Sequence, residues 1–211
     1  MITFTGSTTI GTAIGEICGR MNKRCSLEMG GKNPIIVLDD ADLDLAVEGA
    51  VWGAFGTSGQ RCTASSRMIV QRGIYDEFTR RLVERAKKLK VGDGLDPKVE
   101  MGPVINAEAK EKILGYIEIG KKEGAKLLCG GVPLEKGKHK RGFFIAPTVF
   151  ADARRTMRIA CEEIFGPVVT IIPVKDMDEA IAIANESEYG LSSSIYTSDV
   201  NKAFAAMRDL Y

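Results

Sequence analysis

Apolar stretches of strand length alternate along this chain with segments in which apolar residues recur every three or four positions. Ile2 to Thr5 predicts a short strand, and Thr8 to Met21 a helix. Asn33 to Leu38 is a β-branched run suited to a strand buried on both faces. Asp39-Asp40 then reads as a helix start, with acids at 40, 42 and 44 favouring the positive N-terminus. Leu43, Val47, Ala50, Val51, Ala54 and Phe55 share one face of that helix, which Gly56 and Gly59 end. Arg67 to Gln71 is the next strand, and Tyr75 to Leu89 an amphipathic helix.

The second half continues the alternation. Ala107 to Glu123 predicts a helix, Ala125 to Cys129 a strand, and 130–142 a polar loop. Phe143 to Phe150 and Val168 to Val174 read as strands. Asp176 to Glu186 is a helix with a capping box, Asp176 as cap and Glu179 three residues on. Leu191 to Tyr196 is a strand and Val200 to Leu210 a last helix. This order predicts an α/β fold, a three-layer αβα arrangement around a mainly parallel sheet. The first strand begins at residue 1 or 2 and the last helix runs to the final residue. Complete domains usually leave slack there, so the expectation is a piece of a longer protein.

Composition narrows the chemistry. The 211 residues carry 29 basic and 28 acidic side chains, a net charge of +1. That balance gives no electrostatic case for nucleic acid or an anionic membrane. No apolar run reaches the roughly 18 residues of a membrane span, and Met1-Ile2-Thr3-Phe4 lacks the pattern of a secretory signal. The five cysteines are widely spaced and form no Cys-x-x-Cys, so neither a disulfide framework nor a zinc or other metal site is expected. A reducing cytoplasm is the default setting, and packed thiols the simplest reading for most of them. The one histidine, His139, falls in a basic loop and is expected to be exposed. A cysteine–histidine or serine–histidine pair needs a histidine fixed beside the nucleophile, so a carboxylate is the better candidate for a base.

Four segments can carry chemistry. Cys62 lies among small and glycine-rich residues, Gly56-Thr57-Ser58-Gly59-Gln60-Arg61-Cys62-Thr63-Ala64, between a buried helix and a strand. Backbone N–H groups there can hold an oxyanion, and Arg61 and Arg67 offer charge that favours a thiolate; a buried structural thiol is the alternative. Glu28, in Leu27-Glu28-Met29-Gly30-Gly31-Lys32, sits beside two glycines, as a base that must swing requires; a turn carboxylate paired with Lys32 is the alternative. Thr5-Gly6-Ser7-Thr8-Thr9-Ile10-Gly11 links a strand to a helix and can receive a phosphate, or can be an ordinary turn. Glu162-Glu163-Ile164-Phe165-Gly166-Pro167 offers carboxylates for ribose hydroxyls and a phenyl ring to flank a flat one, or a solvated acidic turn.

Taken together, the order and spacing of these segments resemble the NAD(P)-dependent aldehyde dehydrogenase superfamily. Phe4-Thr5-Gly6-Ser7 resembles its phosphate-side turn, Leu27 to Lys32 its general-base signature, Gly59-Gln60-Arg61-Cys62 its nucleophile signature, and Glu163 to Pro167 its ribose signature. The resemblance implies a Cys62 nucleophile, a Glu28 base, and contacts to NAD or NADP from Gly6, Ser7, Gly11, Met29, Glu163 and Phe165. It also implies a small-molecule aldehyde substrate and a homo-oligomer, dimer or tetramer. Residues 1–29 would be a remnant of the cofactor domain and 30–211 an incomplete catalytic domain. Family members are more than twice as long, so the second expectation is a truncated, inactive folded module. A phosphorylating or CoA-acylating relative would need no water-activating glutamate, and Glu28 argues against one.

Overall fold

The computed structural model describes residues 1–211. Two short parallel strands, β1 (Ile2–Thr5) and β2 (Cys25–Glu28), flank helix α1 (Thr8–Arg20), and Thr5 pairs in register with Glu28. They form a sheet of their own. Sequence pattern misses β2, because Cys25-Ser26-Leu27-Glu28 is only four residues long and mostly exposed.

Next come β3 (Asn33–Val37), α2 (Leu43–Phe55), β4 (Ser65–Gln71) and α3 (Tyr75–Lys88). The cap of α2 is Asp42, whose carboxylate accepts from the N–H groups of Asp44 and Leu45, rather than the Asp39-Asp40 pair. Asp40 is engaged elsewhere: it accepts from the Thr197 hydroxyl and pairs with Lys202 at 3.3 Å. Helix α4 (Ala107–Lys122) and strand β5 (Lys126–Cys129) fall within a residue of expectation.

The polar stretch after β5 holds a short strand, β6 (Pro133–Leu134), and a 3-10 turn over Gly137–Arg141. The expected strand Phe143 to Phe150 divides into β7 (Phe144–Ile145) and β8 (Thr148–Ala151). Pro147 sits at the break, where it has no N–H to give to a ladder. Helix α5 (Arg158–Cys161) is one turn that the sequence pattern does not announce. Strand β9 (Val168–Val174), helix α6 (Met177–Asn185), strand β10 (Ser194–Tyr196) and helix α7 (Val200–Asp209) complete the chain. The cap of α6 forms as its sequence requires: Asp176 accepts from the Glu179 N–H at 2.9 Å.

The main sheet has six strands in the order β10-β3-β4-β9-β8-β5. Every pair is parallel except β5 with β8. Alternation along the strands divides the core in two. Ile35, Val37, Met68, Val70, Val169 and Ile171 face α2 and α3. Ile36, Leu38, Ile69, Ile172 and Val174 face α4 and α6. The result is the three-layer αβα arrangement expected from the alternation of elements.

Two cations lie inside this packing. Arg67 is 3% exposed, and its guanidinium donates to the carbonyls of Lys32, Ile183 and Ala184 at 2.8–2.9 Å, joining β4 to α6. Lys32 is 1% exposed and its ammonium has no hydrogen-bond partner, so it does not pair with Glu28. Burial, reinforced by the charge of Arg67, lowers its pKa from 10.5 to about 7.

Between those two values the unfolded chain holds a proton that the folded chain has released, so this lysine makes stability rise with pH from about 7 to about 10.5. Below about pH 7 both states are protonated and the full cost remains. We expect Lys32→Met to raise stability at about pH 6 by on the order of 1–4 kcal/mol, with the gain shrinking toward zero as pH approaches 10.5. Urea unfolding across that range measures it; an unchanged midpoint at low pH would contradict it.

Candidate active site

The chain approaches β3 through Gly30-Gly31-Lys32, β4 through Cys62-Thr63-Ala64, and β9 through Glu163 to Pro167. These three strands are parallel neighbours. Three of the segments singled out from sequence therefore enter the sheet side by side, at the amino edge of its central strands.

Asn33 fastens them. It is 3% exposed, and its Nδ2 donates to the Cys62 carbonyl at 2.7 Å and the Ala64 carbonyl at 3.0 Å. Its Oδ1 accepts from the Ser192 N–H at 3.2 Å, on the approach to β10. Only this orientation of the amide matches two acceptors and one donor. Gly31 completes the contact: a Cβ there would lie 2.6 Å from the Cys62 carbonyl oxygen, so a side chain is excluded.

The acidic turn docks on the same glycines. Glu163 Oε1 accepts from the Gly31 N–H at 3.0 Å, and a Cβ on Gly30 would lie 2.5 Å from Oε2. Its neighbour Glu162 is turned away: it pairs with Arg158 at 2.6 Å and accepts from the Tyr116 hydroxyl at 2.7 Å. Those bonds hold the Glu162 carboxyl down at about 2. Of the two adjacent acids, Glu163 alone reaches the glycine turn.

Cys62 is a free thiol, neither fully buried nor fully exposed. Its turn is fixed from several sides. Ser58 donates through Oγ to the Gly102 carbonyl at 2.9 Å, and Gln60 accepts from the Ile105 N–H at 3.0 Å. Gly59 has φ +65°, and a Cβ there would fall 2.0 Å from the Gly166 carbonyl oxygen, so both conformation and space require glycine. Phe165, just before Gly166, is exposed and held at φ 58°. Beside it lies a cavity of about 380 Å³ lined by Gln60, Ile105, Asn106, Ile164 and Phe165 among others. The turn's backbone bonds run from Ser58, Gln60 and Ala64, and the Cys62 N–H enters none of them.

Both arginines make fixed contacts of their own. Arg67 is committed to its three carbonyls, and Arg61 stacks on Trp52, 4.5 Å from the ring centre. His139 is not fully exposed either: Nε2–H donates to the Val91 carbonyl at 3.0 Å and the ring meets Phe144 edge-on. Of the other thiols, Cys18 and Cys129 are buried as anticipated, but Cys25 and Cys161 are exposed.

The remaining candidates cluster around β1 and β2. Glu28 closes β2 with its side chain exposed, and its carbonyl accepts from the Gly6 N–H at 3.0 Å. Ser7 caps α1, its hydroxyl accepting from the Ile10 N–H at 3.5 Å. Residues 6–10 are exposed and the first turn of α1 has no acidic residue, so its open N–H groups can receive a phosphate. Gly11 packs against Met29, where a Cβ would lie 2.4 Å from the sulfur. No group of three or more His, Cys, Asp or Glu converges as a metal site, and no helix is long and apolar enough to cross a membrane.

The Cys62 turn, the Gly30-Gly31 turn and the acidic turn of Glu163 thus meet at one edge of the sheet. The chain belongs to the aldehyde dehydrogenase family, whose model matches residues 1–211. It is 46% identical over 209 residues to the α-ketoglutaric semialdehyde dehydrogenase of Bacillus subtilis, covering 99% of this chain and 43% of that protein. It is 55% identical over 203 residues to the aldehyde dehydrogenase 1A1 of Bos taurus, covering 96% and 40%. Among solved structures, betaine aldehyde dehydrogenase from Staphylococcus aureus in complex with NAD+ superimposes with a TM-score of 0.96 at 41% identity, covering 99% of this chain and 42% of that one. The chain thus spans about two fifths of the length of these relatives.

Sequence reading did not find Asn33; its one local signal is an amide directly before Pro34 in an otherwise apolar run. Asn33→Ala orphans two carbonyls and an N–H. We expect it to lower stability by on the order of 2–4 kcal/mol and to speed alkylation of Cys62 severalfold as its turn loosens. Urea titration and timed labelling read the two effects; a stable variant with unchanged labelling would refute the clamp.

Proposed function

We propose that these residues perform the thiol chemistry of an NAD(P)-dependent oxidation of an aldehyde to a carboxylic acid. The observation that supports this most is the meeting of the Cys62, Gly30-Gly31 and Glu163 segments at one edge of the sheet. In this reading the Cys62 thiolate adds to the aldehyde carbon and forms a thiohemiacetal. Its oxyanion receives the Cys62 N–H, which the turn leaves uncommitted. A nicotinamide held here would supply the acceptor for the hydride on that carbon. Glu28 then takes a proton from the water that hydrolyses the Cys62 thioester, freeing the acid. Its exposed position at the end of β2, next to Met29 and two glycines, gives it the freedom to do so.

Cofactor contacts follow from the same placement. Gly6, Ser7 and the open first turn of α1 bind the pyrophosphate, with Gly11 and Met29 packed beneath. Glu163 keeps Oε2 for ribose hydroxyls while Oε1 holds the Gly31 N–H, and Phe165 flanks the ring. Either NAD or NADP suits these contacts. Residues 1–29 belong to the cofactor-binding domain and residues 30–211 to the catalytic domain. The whole protein acts as a homo-oligomer in the cytoplasm, a setting that suits five unpaired cysteines.

A second reading, a folded module without turnover, draws support from the chain's span of about two fifths of its relatives. Incubation with an aldehyde and NAD+ or NADP+, following absorbance of the reduced cofactor, separates the two. We expect turnover that Cys62→Ala abolishes. Glu28→Gln should slow thioester hydrolysis by roughly 10²–10⁴-fold while leaving the first hydride transfer intact. Unchanged hydrolysis would remove Glu28 as the base. No cofactor reduction by a folded chain whose Cys62 still alkylates would establish the module.

A further inference from the structure

The two buried cations, Lys32 and Arg67, border one cavity. It measures about 160 Å³ and lies between the start of β3, the end of α6 and the turn 189–193. Lys32 is 1% exposed and its ammonium has no hydrogen-bond partner. The acids of the turn after α5 bond elsewhere, Glu162 to Arg158 and Glu163 to the Gly31 N–H. Arg67 spends three of its five N–H donors on carbonyls, which leaves two. Ser192 and Ser193 add hydroxyls to the lining, and the N–H groups of Gly190 and Leu191 enter no hydrogen bond. No aspartate or glutamate lines the cavity, while Pro34, Leu191 and Leu210 give it apolar surface. Asn185 fixes one wall, donating to the Asp209 carbonyl at 2.8 Å and accepting from the Tyr211 N–H at 3.3 Å.

We propose that this cavity is a binding site for a short-chain carboxylate. The ligand supplies the negative charge that the Lys32 ammonium lacks, and its oxygens accept from the spare donors around it. Burial has already stripped the ammonium of water, so an anion reaching it displaces little hydration. The apolar surface suits an alkyl stub, which favours a carboxylate over inorganic phosphate. The cavity also touches the clamp on the Cys62 turn. Asn33 lines it, and Ser192, another lining residue, donates its N–H to Asn33. An occupant therefore stiffens the hold of Asn33 on the Cys62 carbonyl. Uptake needs neither aldehyde nor NAD, so the site stands or falls independently of the roles given to Cys62 and Glu28.

Titration calorimetry of the whole chain with propionate tests this, at constant ionic strength and about pH 6, where Lys32 holds its proton. We expect saturable uptake. Lys32→Met, which keeps the fold, should weaken it roughly tenfold or more. Ser193→Asp, an exposed change that sets a like charge at the rim, should weaken it too. With propionate bound, alkylation of Cys62 should slow severalfold in the parent chain but not in Lys32→Met. No saturable uptake, equal affinity in Lys32→Met, or heats that chloride reproduces would overturn the site. Tighter uptake of inorganic phosphate would overturn the carboxylate assignment. Unchanged alkylation with propionate bound would overturn the link to Cys62.

Discussion

The arrangement depends on one buried amide. A parallel sheet aligns the starts of its strands but leaves the segments leading into them without ladder partners, and buried polar groups there must be satisfied by something. Asn33 does this for two approaches at once, using two donors toward the turn before β4 and one acceptor toward the turn before β10. Neither serine, with one hydroxyl hydrogen, nor aspartate, with no donor when ionised, could match that set. Around it, the small residues Gly30 and Gly31 let the acidic turn before β9 close to hydrogen-bonding distance. The Cys62 backbone is held by a side chain on the neighbouring strand rather than by its own.

This explains why the candidate site occupies the amino edge of the sheet. In open α/β sheets ligands usually gather at the carboxyl ends of strands, where loops and helix N-termini converge. Here the helix N-terminus comes from outside the main sheet, in the β1–α1–β2 unit, whose second strand runs through Glu28 into the glycine turn. The same unit that carries this open helix start thus leads directly into the glycines on which the Cys62 and Glu163 turns close.

Much of this was legible from sequence where the determining contacts are local. Helix caps, apolar periodicity and β-branched runs gave most elements within a few residues, as with α4 and α6. The three segments that enter the sheet side by side were legible too, because each is a short contiguous motif. What escaped was set by distant partners. Asn33 takes its meaning from residues 29, 31 and 159 positions away. Asp40 looked like a cap and is instead bound across 157 positions by Thr197. Arg67 ties a helix to the sheet through carbonyls 116 and 117 positions away. The strand β2 escaped for the opposite reason: its exposed residues carry no burial pattern to read.

Trp52 is the only tryptophan in the chain, and it is 66% exposed. It stacks against Arg61, the residue before Cys62. Indole emission responds to a cation moving over its face and to solvent reaching the ring. The protein therefore carries an intrinsic optical reporter stacked on the residue next to Cys62, so changes in the Cys62 turn can be followed in solution without attaching a dye.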